Sequence, residues 1–120
     1  MPAPVSRAVV FARLLFWAAL VFTCVMAVLP QPPEFIGSSD KINHVLAFLV
    51  LTALHKLAYR RVNVWTRLAV MALLGAGIEV AQMIPALHRD ADWRDWLADM
   101  LAAGTASLAV ALLFPVRRRR

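Results

Sequence analysis

Apolar residues run along the chain in four long blocks, separated by short stretches that carry the prolines and most of the charge. A helix that crosses the hydrocarbon core of a bilayer needs about 20 mostly apolar residues. The blocks place such helices at about Ala8 to Leu29, Lys41 to Leu57, Val64 to Ile84 and Trp93 to Phe114. Pro30, Pro32 and Pro33 break the first connection, Pro85 ends the third helix and Pro115 the fourth, because proline lacks the N–H that a helix interior requires. The connections are short, so neighbouring helices are expected to pack antiparallel. The expected fold is all-α: one domain over residues 1–120, a four-helix transmembrane bundle without repeats or low-complexity tracts.

Composition agrees. Of 120 residues, 62% are hydrophobic and only 17% charged, against about half and a quarter in a soluble domain. The net charge of +6 raises the question of nucleic acid. The basic residues, however, sit at the ends of the apolar blocks rather than along a surface with interleaved aromatics, so no nucleic-acid partner is expected. Cys24 is the single cysteine, which excludes an internal disulfide, and it reads as a small apolar packing residue. A lipoprotein cleavage site there fits poorly with the preceding Val21, Phe22 and Thr23. Arg7 and Arg13 before an apolar stretch also resemble a signal peptide, but the stretch is long and no A-x-A site follows, so an uncleaved anchor is expected.

Ten of the thirteen basic residues fall on one side: Arg7, Arg13, Lys56, Arg60, Arg61, Arg67 and Arg117 to Arg120. All seven acidic residues, from Glu34 and Asp40 to Asp99, fall in the other half. The positive-inside rule then places both termini in the cytoplasm. The terminal RRRR reads as a topology anchor touching anionic headgroups.

The outer half holds the candidate chemistry. Glu79 lies five residues before Ile84, about 7–8 Å deep at 1.5 Å per residue, in the apolar run LLGAGIEVAQMIP. An ionisable group there should face the bundle interior and meet a partner. Gln82 is on the same face, and Gly75 extends it as a small residue suited to close helix approach. On the second helix Asp40 and His44 share a face, Lys41 sits at the water boundary, and Ser38, Ser39 or Asp40 is placed to cap the N-terminus. On the fourth, Asp92, Asp95 and Asp99 follow helical spacing, with Ala102 and Ala106 below them. Trp93 and Trp96 mark the headgroup level. Each residue also has a plainer role: Asp40 a cap, His44 a structural hydrogen-bonder, Asp92 and Asp95 partners of the helix dipole. Asp90 and Arg94 read as solvated loop charges, His55 and His88 as interfacial residues, and Glu79 as an interhelical tie.

The order of these motifs resembles the VanZ-like family of small bacterial membrane proteins, over roughly residues 30 to 110. It is carried by Ser38, Ser39, Asp40, Lys41, His44 and Phe48, then Gly75, Ile78, Glu79 and Gln82, then Arg89, Asp92, Asp95 and Asp99. The chain departs from the family pattern at Asp99, where Asn is usual, and at Ala102 and Ala106, where glycines are usual. The resemblance implies a multi-pass protein of the bacterial cytoplasmic membrane, with a cell-envelope role like that of the namesake, which is linked to resistance to the glycopeptide teicoplanin. It implies no particular reaction.

Four functions follow as expectations. In the first, Asp40, Lys41, Gln82, Arg89, Asp92 and Asp99 form an outer-leaflet binding site for membrane lipid, a lipid-linked envelope precursor or a lipophilic drug. In the second, Glu79 or His44 is the general base, with Asp95 or Asp99 as a second carboxylate, for acid–base catalysis on a lipid-linked substrate. A third moves protons or ions, against which the inner half offers only Thr52 and Thr105. A fourth is a structural cluster alone. No HExxH-type spacing occurs, so no metal or cofactor is expected, although His44 and the carboxylates are ligand types for a divalent ion.

Overall fold

The computed structural model describes residues 4–30 and 40–115, apart from the Asp40 side chain. It is all-helical: α1 (Arg7–Val28), α2 (Asp40–Ala58), α3 (Val64–Gln82), a short 3₁₀ turn (Pro85–Leu87) and α4 (Trp93–Leu113). All four α-helices are long and apolar enough to cross a membrane, which fits a multi-pass membrane protein. Their flanks are apolar as well. Phe11, Leu14, Leu73, Leu101 and Leu112 are each more than half exposed, a pattern expected where the surrounding solvent is hydrocarbon.

Helix boundaries follow local chemistry. Ser6 caps α1 by accepting from the Val9 N–H, and Asn63 caps α3 by accepting from Thr66 at 2.8 Å; each satisfies an orphan donor of the first turn. Asp92 caps α4 through the Arg94 N–H at 2.9 Å. Asp40 is the first residue of α2; the capping expected of Ser38 and Ser39 falls outside the described residues. The largest displacement is at the end of α3, which stops at Gln82 rather than Ile84. Pro85 forces this. A residue before proline is pushed out of the helical region, and Ile84 is extended, at φ −68° and ψ 118°. Glu79 is therefore three residues from its helix end rather than five.

The helices run up and down in alternation. At one end, the basic end, Arg13 at the start of α1 donates to the Ala58 carbonyl at the end of α2. At the other, the acidic end, Gln82 of α3 reaches α1 and His44 of α2 reaches α4. Sequence neighbours do not always pack most closely. The main interface of α2 is with α4, then α1, while α3 leans on α4 and touches α2 less. Side-chain size accounts for this. One face of α4 is built from buried small residues, Ala102, Ala103, Ala106 and Ser107, and Phe48 and Leu51 of α2 are fully buried in the same core as Ala102 and Ala103.

Gly75 sets the fit of α3 on α4. A Cβ there would lie 3.0 Å from Trp96 Cδ1, 3.4 Å from Asp99 Oδ2 and 3.5 Å from Phe48 Cζ. The Trp96 ring cannot easily yield, because its indole N–H donates to the Ala72 carbonyl at 3.0 Å. Gly75→Val is expected to destabilise the bundle by about 1–3 kcal/mol, the usual cost of overpacking. Gly104→Ala meets nothing within 4 Å and should be neutral or stabilising by up to about 1 kcal/mol through helix propensity. Thermal unfolding in detergent, followed by circular dichroism, distinguishes the two; equal midpoints for both variants would contradict this packing.

Candidate functional site

Three helices bring polar side chains together below the acidic end. His44 is on the second turn of α2, Glu79 on the last turn of α3 and Asp99 on the second turn of α4. His44 Nδ1 lies 3.3 Å from Asp99 Oδ2, with the two residues 7% and 0% exposed. Glu79 joins them: one possible ligand atom from each of His44, Glu79 and Asp99 lies within 4.8 Å of the other two. Its Oε2 accepts from the Asp92 backbone N–H at 2.9 Å. Its Oε1 is buried and has no hydrogen-bond partner among the described residues. The glutamate thus ties the end of α3 to the cap of α4 and still presents a second oxygen inward.

The other expected residues divide by role. Asp95 is buried and pairs with Lys41, Nζ to Oδ1 at 3.7 Å, while the lysine stays half exposed. A pair with one partner in solvent contributes little to stability; here it ties α2 to α4. His44 accordingly pairs with Asp99 and Lys41 with Asp95, and both aspartates lie near enough to Glu79 to act on its charge. Gln82 is buried and donates to the Ala27 carbonyl at 3.0 Å. Arg89 donates to the carbonyls of Leu29 at 2.9 Å and Met26 at 3.4 Å. Both residues therefore satisfy carbonyls that α1 leaves open at its C-terminus. Asp92 is the cap of α4 rather than part of the buried acidic face. Trp93 is exposed, while Trp96 turns inward to α3, where its indole N–H donates to the Ala72 carbonyl. His88, expected at the interface, has φ 49° and ψ 43°. That left-handed conformation is uncommon for non-glycine residues, histidine being among those that adopt it most readily, and it turns the chain so that Arg89 points back at α1.

Beside this cluster is a groove of about 250 Å³ between α1 and α2. Its walls are Ala19, Phe22, Thr23, Met26 and Ala27 on one side and Asn43, His44, Leu46, Ala47, Phe48 and Val50 on the other, with Ile78 and Arg89 completing it. From Asn43 to Val50 it follows α2 for about 10 Å. The body is apolar, while His44, Asn43 and Arg89 gather at the acidic end. Sequence reasoning missed this groove. Its signal was the small-residue spacing Ala19, Thr23 and Ala27 on α1, one helical turn apart each time.

A second buried polar centre, at the basic end, was also missed. Arg67 is 1% exposed. Its Nε donates to His55 Nδ1 at 3.1 Å, and its Nη2 donates to the carbonyls of Val62 at 2.9 Å and Tyr59 at 3.3 Å. Phe16 stacks edge-on against both His55 and Tyr59, and Arg13 lies over the Tyr59 ring. The sequence signal was an arginine inside α3 at the end of the bundle that has no acidic residue to pair with.

Comparison of the chain with models of known protein families, with characterised proteins and with solved structures gives no match.

Proposed function

We propose that the protein binds an amphiphile at the outer leaflet of the bacterial cytoplasmic membrane: a lipid, a lipid-linked envelope precursor or a lipophilic drug. In this reading both termini are cytoplasmic and the acidic end faces outward. The single observation that carries it is the groove, which is apolar along α1 and α2 and polar at its acidic end, the shape of a chain with a headgroup. Its volume is below the roughly 300–1,000 Å³ of pockets that enclose drug-sized ligands, so it suits one apolar chain whose polar part stays at His44 and Arg89. The charge distribution supports the orientation. A VanZ-like role, altering how a glycopeptide or its lipid-linked target is handled, is consistent with such a site and rests on the motif resemblance alone.

The second reading is an enzyme that applies acid–base chemistry to a lipid-linked substrate. The His44–Asp99 contact favours it, since a carboxylate against an imidazole fixes the ring's orientation for proton transfer. Ion movement has less support. Between the acidic-end cluster and Arg67, the buried polar side chains among the described residues are Thr52 and Ser107.

Binding is tested with purified protein and phospholipids that differ only in headgroup, using native mass spectrometry. Tighter binding of anionic phosphatidylglycerol than of zwitterionic phosphatidylcholine is expected. Arg89→Ala should reduce that preference about tenfold, which is about 1.4 kcal/mol, and Arg89→Lys should keep most of it. Equal affinity for both lipids, unchanged by Arg89→Ala, would refute the reading.

A further inference from the structure

We infer that His44, Glu79 and Asp99 form a binding site for a divalent transition-metal ion, of which Zn²⁺ is the best match. The inference goes beyond amphiphile binding and does not depend on it.

Three separate helices each supply one ligand atom, and the three atoms lie within 4.8 Å of one another. His44 and Asp99 are 7% and 0% exposed, so water does little to separate their charges. Two carboxylates this close in a water-poor site repel each other unless a proton or a cation lies between them. Beside Glu79 that role falls to His44, which Asp99 already engages; the glutamate's Oε2 takes a backbone N–H from Asp92, and its buried Oε1 has no partner among the described residues. The Asp92 N–H holds that carboxylate in place, as outer hydrogen bonds commonly hold metal-ligating carboxylates. Lys41, the nearest flexible cation on α2, is committed to Asp95.

The donor set selects the ion. One imidazole and two carboxylates, with no thiolate, suit a borderline ion such as Zn²⁺ better than a purely oxygen-seeking one. Bonds of about 2.0–2.2 Å would draw the three donors inward by side-chain rotation. Three protein ligands leave a tetrahedral ion one open position. His44 also lines the groove, so the site adjoins it.

The test uses the full chain, purified in detergent without a polyhistidine tag, stripped with chelator and then loaded with Zn²⁺ alone. After removal of free metal, elemental analysis should find about one Zn²⁺ per chain. Glu79→Gln, which keeps an oxygen for the Asp92 N–H, should lower this at least tenfold, as should Asp99→Asn. Zinc should raise the unfolding midpoint of the unmodified chain and leave that of Glu79→Gln unmoved; this separates loss of the site from loss of the fold. Less than about one tenth of an equivalent in the unmodified chain, or equal zinc in all three proteins, would overturn the assignment. No amphiphile is present, so a negative result here leaves the groove reading standing.

Discussion

Arg67→Ala is expected to lower the stability of the bundle by about 3–4 kcal/mol. The guanidinium is 1% exposed and donates to the His55 ring and to the carbonyls of Tyr59 and Val62. Its removal leaves the His55 ring nitrogen and the Val62 carbonyl without a donor at the joint between α2 and α3, and the Tyr59 carbonyl with the Val62 N–H alone. Each buried group left unsatisfied costs about 1–3 kcal/mol, and the emptied volume adds a cavity cost. Partial access of the two carbonyls to water keeps the total at the lower end of that range. Arg67→Lys keeps the charge but loses the planar fork, so it should recover less than half of the loss. Denaturant titration in mixed micelles checks both variants. A loss under about 1 kcal/mol for Arg67→Ala would show that Arg67 is not the clasp of this joint.

Ala47→Trp is expected to abolish amphiphile binding while leaving the helices intact. Ala47 lies in the wall of the groove facing α1, about one turn below Asn43 and His44. An indole there would occupy much of the roughly 250 Å³ available. The groove lies open between two helices, so the added ring displaces ligand rather than core. The expected loss is at least tenfold in affinity for phosphatidylglycerol, read by the same native mass spectrometry, with an unchanged helical circular dichroism spectrum. Full binding by the variant would place any bound amphiphile elsewhere.

The fold was legible because a membrane span announces itself by length and apolarity, and prolines punctuate the gaps. Every boundary lies within two residues of expectation, and the largest displacement, at Ile84, comes from the constraint that Pro85 puts on its predecessor. The convergence of His44, Glu79 and Asp99 was legible in part. Helical spacing put each residue on an inward face near one level, but spacing within a helix does not say which residue meets which across an interface. Pairing depends on the packing of α2 against α4, and this assigned Asp99 to His44 and Asp95 to Lys41. Gln82 and Arg89 read as ligand groups; both also serve the carbonyls at the end of α1, Arg89 while lining the groove, a demand of the backbone that side-chain chemistry does not reveal. The Arg67 centre was obscured for a related reason. A charge counted toward orientation looks like a surface charge until the backbone carbonyls around it are in view.

Photo-crosslinking with a phospholipid carrying a diazirine on its acyl chain tests amphiphile capture most directly. Adducts mapped by peptide mass spectrometry should concentrate on Ala19, Phe22, Thr23, Leu46, Ala47 and Val50, the walls of the groove, and should vanish there in Ala47→Trp. Adducts spread evenly over outward leucines such as Leu73, Leu101 and Leu112, each more than 70% exposed, would mean that lipid merely surrounds the bundle and that the groove holds nothing.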